Sequence, residues 1–196
     1  MAMDGIRLEK ENQCIIMGGE SGSGKTEASK LIIGFVAAST PALSRILQDS
    51  STLLESFGNA KTKHNDNSSR FVKLTEVVFG DDGKSAIGGR ILSFMLEKSR
   101  VTMTTTTTTR TRNERSFHVF YQLCNSAPEE WRKEFEIEKP ESFRYLEGYS
   151  VNPSTDEFEP TLRAMKSVGI SETESKEVAR ILSGILWLGN VCFTND

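Results

Sequence analysis

The chain has 196 residues, 37% of them hydrophobic and 26% charged, with a formal net charge of −3. That balance provides for one sizeable core and lacks the basic excess that drives binding to nucleic-acid backbones; no apolar run reaches the length of a membrane span. The opening MAMDGIRLEKENQ has no signal-peptide core, and Cys14, Cys124 and Cys192 are too scattered for a disulfide framework, so a cytoplasmic setting is expected. His64 and His118 have no Cys or His at ligand spacing, which argues against a transition metal.

In chain order, Gln13–Met17 is a short run of β-formers closed by glycine, which predicts a buried strand of a parallel sheet. A helix follows the glycines, with Ala28, Leu31, Ile32, Phe35 and Val36 spaced to share one face. Thr40-Pro41 offers a capped start to a second helix, whose stripe of Ile46, Leu47, Ser50, Leu53, Leu54 and Phe57 ends at Gly58. Asn59 to Arg70 is polar and aperiodic, a loop. Phe71 to Phe79, the Gly80-Asp81-Asp82-Gly83 turn and a second extended run through Ile87 and Ile91 predict a β-hairpin.

The threonine run 103–109 has no apolar face and reads as a solvated loop. Glu114 to Leu123 returns to helical spacing through Phe117, Phe120 and Tyr121, continuing to Cys124. Pro128 to Pro160, interrupted by Pro140, Gly148 and Pro153, suggests short helices and loops. Two helices close the chain: one with Phe158, Leu162 and Met165 that stops at Gly169, and one that starts on the capping box Ser171-Glu172-Thr173-Glu174. The expected core face of the last is Val178, Ile181, Leu182, Ile185 and Leu188, with Gly189 as its C-cap signal.

The chemistry concentrates in Gly19-Glu20-Ser21-Gly22-Ser23-Gly24-Lys25-Thr26, which fits G-x-x-x-x-G-K-[ST]. Glycines at these positions let successive backbone N–H groups turn inward around phosphate oxygens, in front of the positive end of a helix. Lys25 would supply a mobile cation for the β- and γ-phosphates and Thr26 a hydroxyl for Mg²⁺, so a nucleoside triphosphate is the expected ligand. Asn65-Asp66-Asn67-Ser68-Ser69-Arg70-Phe71 holds hydroxyls, amides and an arginine of the kind that senses a γ-phosphate and completes a Mg²⁺ shell. On local grounds alone an ordinary solvated loop is the better reading of that stretch.

Six segments in one order change that balance. GESGSGKTEASK, LLESFGNAKT (53–62), NDNSSRF (65–71), EKSRV (97–101), ERSFHVFYQL (114–123) and ILSGILWLGN (181–190) together resemble the myosin motor head over nearly the whole chain. The resemblance implies an α/β fold with a partial P-loop NTPase-type core sheet and flanking helices, followed by a mostly helical region. The P-loop and switch I core would occupy residues 1–101, the threonine-rich loop 102–112 and an upper-50K-like region 113–196.

It further implies that Gly19, Glu20, Ser21, Gly22, Ser23, Gly24, Lys25 and Thr26 contact ATP phosphates, and that Asn65 approaches them from switch I. Thr26 and Ser69 would be Mg²⁺ ligands, Ser68 would help position the attacking water, and Arg70 would pair with a glutamate of switch II. Lys25, Ser68 and Arg70 are the implied catalytic set. Actin filaments are the implied partner of the parent protein, with light chains or calmodulin on regions outside this chain, and a cytoskeleton-associated location follows. The pair Gly88-Gly89 and Glu11-Asn12-Gln13-Cys14 point toward class I of the family.

Three departures stand out. Val72 replaces the glycine usual after the switch I phenylalanine, which removes flexibility there; the threonine-rich connection is longer than usual; and no DIxGFE-like switch II is found. The adenine-contacting segment is expected upstream, and the main actin-binding region, relay and converter downstream. A parallel sheet without its neighbouring strands would leave edges and apolar faces uncovered. Two other readings are kept: a non-catalytic nucleotide-binding or scaffolding protein, favoured by the missing switch II, and a kinesin-like microtubule motor, disfavoured by Glu20 and by Phe71 after SSR.

Overall fold

In the computed structural model, residues 2–102, 114–147, 152–153 and 155–193 are described. The threonine run and Gly148 lie outside them. The chain forms eight α-helices and four strands among these residues: α1 Ala2–Asp4, α2 Lys25–Val36, α3 Pro41–Gly58, β1 Asn59–Ala60, β2 Ser68–Ser69, β3 Val72–Phe79, β4 Ala86–Phe94, α4 Ser99–Thr102, α5 His118–Ser126, α6 Glu129–Glu134, α7 Glu159–Ser167 and α8 Glu172–Gly189. It is a mixed α/β architecture, with both sheets two-stranded and antiparallel.

The strand expected at Gln13–Met17 does not form, and the expected core sheet is not seen among the described residues. A buried parallel strand needs ladder partners on its flanks, and none lies beside this run. Ile15 and Ile16 are consequently exposed. The same lack of cover explains a second difference. Leu31 and Phe35 of the predicted α2 face are more than 70% exposed, while Ile33 turns toward α3 and the hairpin.

Helix α3 is the hub, touching α2 and β4 on one side and α5 and α7 on the other. Thr40 precedes Pro41 as predicted, but its hydroxyl donates to the Ala86 carbonyl at 2.7 Å instead of capping the helix. That bond fixes the start of α3 to β4. At the far end, Ser56 Oγ and Thr161 Oγ1 of α7 are 2.6 Å apart, and Thr161 Oγ1 donates to Gln122 Oε1 of α5 at 2.8 Å. Gly58 is the last residue of α3, and the Phe71 ring lies against it: a Cβ there would come within 2.4 Å of Cδ1. Gly58→Ala is therefore expected to cost about 1–3 kcal/mol through overpacking, read as a fall in the urea midpoint at unchanged slope.

The predicted hairpin is present, paired from Val72↔Phe94 to Phe79↔Ala86 with an irregularity between Val78 and Phe79. Its turn is held by Asp82, whose Oδ1 accepts from the backbone N–H groups of Lys84 and Ser85 at 2.9 and 3.0 Å. Those bonds hold the Asp82 carboxyl down at about 2. Val72 opens β3, a position that suits a β-branched side chain. Gly89 lets the β4 backbone pass over α3, since a Cβ would meet Leu47 Cδ2 at 3.1 Å. Near Asn59 to Arg70 the predicted loop gains two short strands, Asn59↔Ser69 and Ala60↔Ser68.

A larger core gathers around α5, whose residues His118 to Cys124 are all buried. The predicted helix at Glu114 starts later, at His118, because 115 and 117 are engaged in extended pairing: Arg115 N–H donates to the Lys61 carbonyl at 3.0 Å and Phe117 bridges Ala60. Cys124 is buried there, which pushes its thiol up to about 12 and leaves it unreactive. Helix α8 begins with both hydrogen bonds of the predicted capping box. Its buried face is Ser175, Ala179, Leu182, Ser183 and Leu186, so Ile181 and Leu188 of the predicted face point outward. Gly189 is the last helical residue, not a cap beyond it; the Tyr145 ring packs where a Cβ would sit, 2.6 Å from Cδ2.

Candidate nucleotide-phosphate site

The glycine loop joins an extended segment to α2. Gly22 and Gly24 have φ of 82° and 85°, left-handed backbone that side chains resist, and Gly24 is the residue from which α2 departs. With Lys25 and Thr26 in the first helical turn, the N–H groups at this end have no acceptor within the helix. The Lys25 side chain folds back over the loop, and its ammonium donates to the carbonyls of Gly19 and Glu20 at 2.7 and 2.6 Å. Ser23 N–H closes the turn onto the Glu20 carbonyl at 3.3 Å.

Residues 65–70 reach this loop from the other side. Asn65 Nδ2 donates to Ser21 Oγ at 3.3 Å, and the hydroxyls of Ser21 and Ser68 are 3.2 Å apart. Ser68 is buried, and Ser69, the next residue of β2, is exposed, as alternation along a strand requires. The loop between β1 and β2 is internally tied: Thr62 N–H donates to the Asn65 carbonyl at 2.8 Å, and Asn67 N–H to Asn65 Oδ1 at 2.9 Å. Asn67 Oδ1 accepts from Asn59 Nδ2 at 2.9 Å and lies 3.1 Å from His118 Nε2, which anchors the loop to α5.

Four of the sequence-selected residues thus converge, Ser21, Asn65, Ser68 and Arg70, the last through an Nη1 bond to Ser68 Oγ at 3.4 Å, while Lys25 stays bonded within its own loop. Gly22 sits at the same junction, 3.7 Å from Asn65 Nδ2 if it carried a Cβ. The hydroxyls of Thr26 and Ser69 make no hydrogen bond to each other. Arg70 has a carboxylate partner within the chain: its Nε donates to Glu97 Oε2 at 2.6 Å. Glu97, Asn59, Asn67 and His118 were given no individual role from the sequence, although each lies in one of the quoted segments.

The Ser21 and Ser68 hydroxyls, the Asn65 amide, and the ammonium and helix N-terminus of the same glycine loop are donors of the kind phosphate oxygens accept from. The neutral hydroxyls of Thr26 and Ser69 are hard oxygen ligands of the type Mg²⁺ takes alongside phosphate. Among the described residues no group of three or more His, Cys, Asp or Glu could hold a metal by itself. No helix of the described residues is long and apolar enough to cross a membrane.

A glycine loop at the start of a helix is met by a serine-containing segment from a distant part of the chain, and the family follows from comparison. The family model described as "Myosin head (motor domain)" matches residues 1–196, and the chain belongs to that family. It is 43% identical to "Myosin ID heavy chain" of Dictyostelium discoideum over 96% of this chain and 17% of that protein. It is 43% identical to "Myosin-1" of Aspergillus niger over 97% of this chain and 15% of that one, and 44% identical to "Myosin-1" of Neosartorya fischeri over 97% and 16%. These names agree with the class I expectation, and the match sets the microtubule-motor reading aside. The chain spans only about a sixth of these relatives, 17% in the longest-covered of the three.

Proposed function

We propose that this chain is the ATP-phosphate-binding segment of an actin-based motor ATPase, with residues 19–26 as its P-loop and 65–70 as its switch I. The observation that supports this most is the junction of the two segments, Ser21 against Ser68 at 3.2 Å and Asn65 at 3.3 Å, with the Lys25 ammonium on the same loop. In this reading Lys25 and the loop amides of Gly22 and Gly24 bind the phosphates, and Asn65 meets them from the switch side. Thr26 and Ser69 hold Mg²⁺, which when bound neutralises charge on the phosphate oxygens. Ser68 orients the attacking water. Arg70 secures the switch.

Actin as partner, and a cytoplasmic, cytoskeleton-associated setting, belong to the same proposal and concern the parent protein. Residues 1–101 and 113–196 would act as phosphate core and helical support. By itself the chain is expected to turn over Mg·ATP at or near background, because the switch II carboxylate implied for Arg70 is not identified in it. The non-catalytic nucleotide-binding reading survives to that extent.

The test is limited proteolysis of the purified chain with Mg²⁺ and a non-hydrolysable ATP analogue. Protection of the 19–26 and 65–70 regions is expected, with at least about a tenfold higher analogue concentration required by Lys25→Ala, the loss of one charge-assisted contact. Equal protection of both proteins, or none of the parent chain at millimolar analogue, would refute the phosphate site. A robust steady-state ATPase abolished by Lys25→Ala would instead refute the inactivity of the isolated chain.

A further inference from the structure

We infer that Glu97 is a positioning residue of the site: it fixes the Arg70 guanidinium and, through it, the Ser68 hydroxyl opposite the glycine loop. Glu97 lies just past β4 and is gripped twice. Its N–H donates to the Arg70 carbonyl at 3.0 Å, and its Oε2 accepts from Arg70 Nε at 2.6 Å and from Arg100 Nε at 2.7 Å. Oε1 takes Arg100 Nη2 at 3.3 Å. Arg100 is 4% exposed and is itself held by the Arg115 carbonyl at 3.2 Å and by Glu114 at 3.5 Å.

The order of these contacts matters. A half-exposed arginine pairing with a free carboxylate gains little, because two long side chains must be immobilised together. Here the carboxylate is already immobilised by a buried arginine, so the ordering cost falls on Arg70 alone. Arg70 then reaches Ser68 Oγ at 3.4 Å, and Ser68 meets Ser21 at 3.2 Å. The relay therefore runs from the buried Arg100 through Glu97 and Arg70 to the junction of the two loops. Burial pulls the Glu97 carboxyl toward the neutral form, but hydrogen bonds and charge from Arg70 and Arg100 win, so its pKa falls and it stays ionised.

A bland role for Glu97 would be to hold the 97–100 turn through Arg100, with Arg70 incidental. The two separate in a double-mutant cycle read by hydrogen exchange of the 65–70 amides in the nucleotide-free full chain, with α8 amides as the folding control. Glu97→Gln keeps the shape and removes the charge, and Arg70→Gln leaves the Glu97–Arg100 pair intact. Each is expected to speed exchange in 65–70 about three- to tenfold, the scale of one partly exposed ion pair, and the double variant no further.

Unchanged exchange in Arg70→Gln overturns the inference even if Glu97→Gln misfolds. So does a Glu97→Gln effect that persists in full on the Arg70→Gln background. The inference rests on the phosphate-site reading only for its consequence: Glu97→Gln should also raise the Mg·analogue concentration needed for proteolytic protection by about the same factor. If Lys25→Ala leaves protection untouched while the exchange result holds, the phosphate reading fails and the relay stands; the converse pattern fails the relay alone.

Discussion

Asp156→Ala is expected to destabilise the chain by about 3–5 kcal/mol, because it would remove one partner of an ion pair buried in the helical core. Arg115 is 1% exposed, and its Nη2 donates to Asp156 Oδ1 at 2.5 Å. The other carboxylate oxygen accepts from Asn152 N–H at 3.0 Å and Asn125 Nδ2 at 3.4 Å. On its far face the guanidinium lies 3.8 Å over the Tyr121 ring. Removing the carboxylate takes away this ion pair and the acceptor of the Asn152 and Asn125 groups at one stroke, and leaves the Tyr121 ring in place.

The measurement is urea unfolding followed by circular dichroism, comparing Asp156→Ala with the double variant Arg115→Met/Asp156→Leu. The double variant removes both charges, so it should be less destabilised than Asp156→Ala. A loss below about 1 kcal/mol for the single change would mean the pair is solvated in a way its burial contradicts. Arg115 also donates its N–H to the Lys61 carbonyl, at the entry of the 61–67 loop, so the destabilised protein should lose order there first.

Local signals were legible where the physics is local. The α8 capping box needs only Ser171 and Glu174 within one turn, and the β3–β4 hairpin only two β-rich runs and the Asp82 turn. Faces were less legible, because periodicity says which residues share a side and not whether anything covers it. Leu31 and Phe35 have the spacing of a core stripe and stand exposed, and Gln13–Met17 has strand composition without ladder partners. Glycines at 58 and 189 look like helix terminators, yet each is required by an aromatic ring, Phe71 or Tyr145, from a distant part of the chain.

The site divides in the same way. The glycine loop announces itself, since left-handed backbone at Gly22 and Gly24 leaves a compositional mark. The meeting of Ser21 with Ser68 does not, as the two lie 47 residues apart and are joined only by how α2, α3 and β1–β2 pack. Glu97 was hidden for a further reason: a carboxylate beside Lys98 and Arg100 resembles an ordinary solvated charge cluster until Arg70 is seen to arrive from another loop. The motif resemblance marked EKSRV as family-typical without giving it a task.

Lowering the pH from 7 toward 4.5 is expected to remove about 2–3 kcal/mol of stability through His118. The ring is 3% exposed at the first residue of α5, and burial, followed by the positive charge of Arg115, holds its pKa down to about 4 against the attraction of Asp156 and Asp66. In the unfolded chain the ordinary value is 6.5. Between those values the unfolded chain takes up a proton that the folded one refuses, so stability is fully present above about pH 6.5 and drains as pH falls toward 4. Since Asn67 Oδ1 is the neighbour of Nε2 at 3.1 Å, and also accepts from Asn59, the neutral ring carries its proton on Nε2. The burial that resists protonation is the same burial that anchors Asn67, so acid should loosen the 65–70 segment as it destabilises the fold. His118→Phe removes this titration while leaving every carboxylate in place. Urea unfolding at several pH values should give a shallower loss for the variant between pH 6.5 and 4.5 than for the parent; parallel curves would show that His118 is protonated alike in both states and carries none of the acid sensitivity.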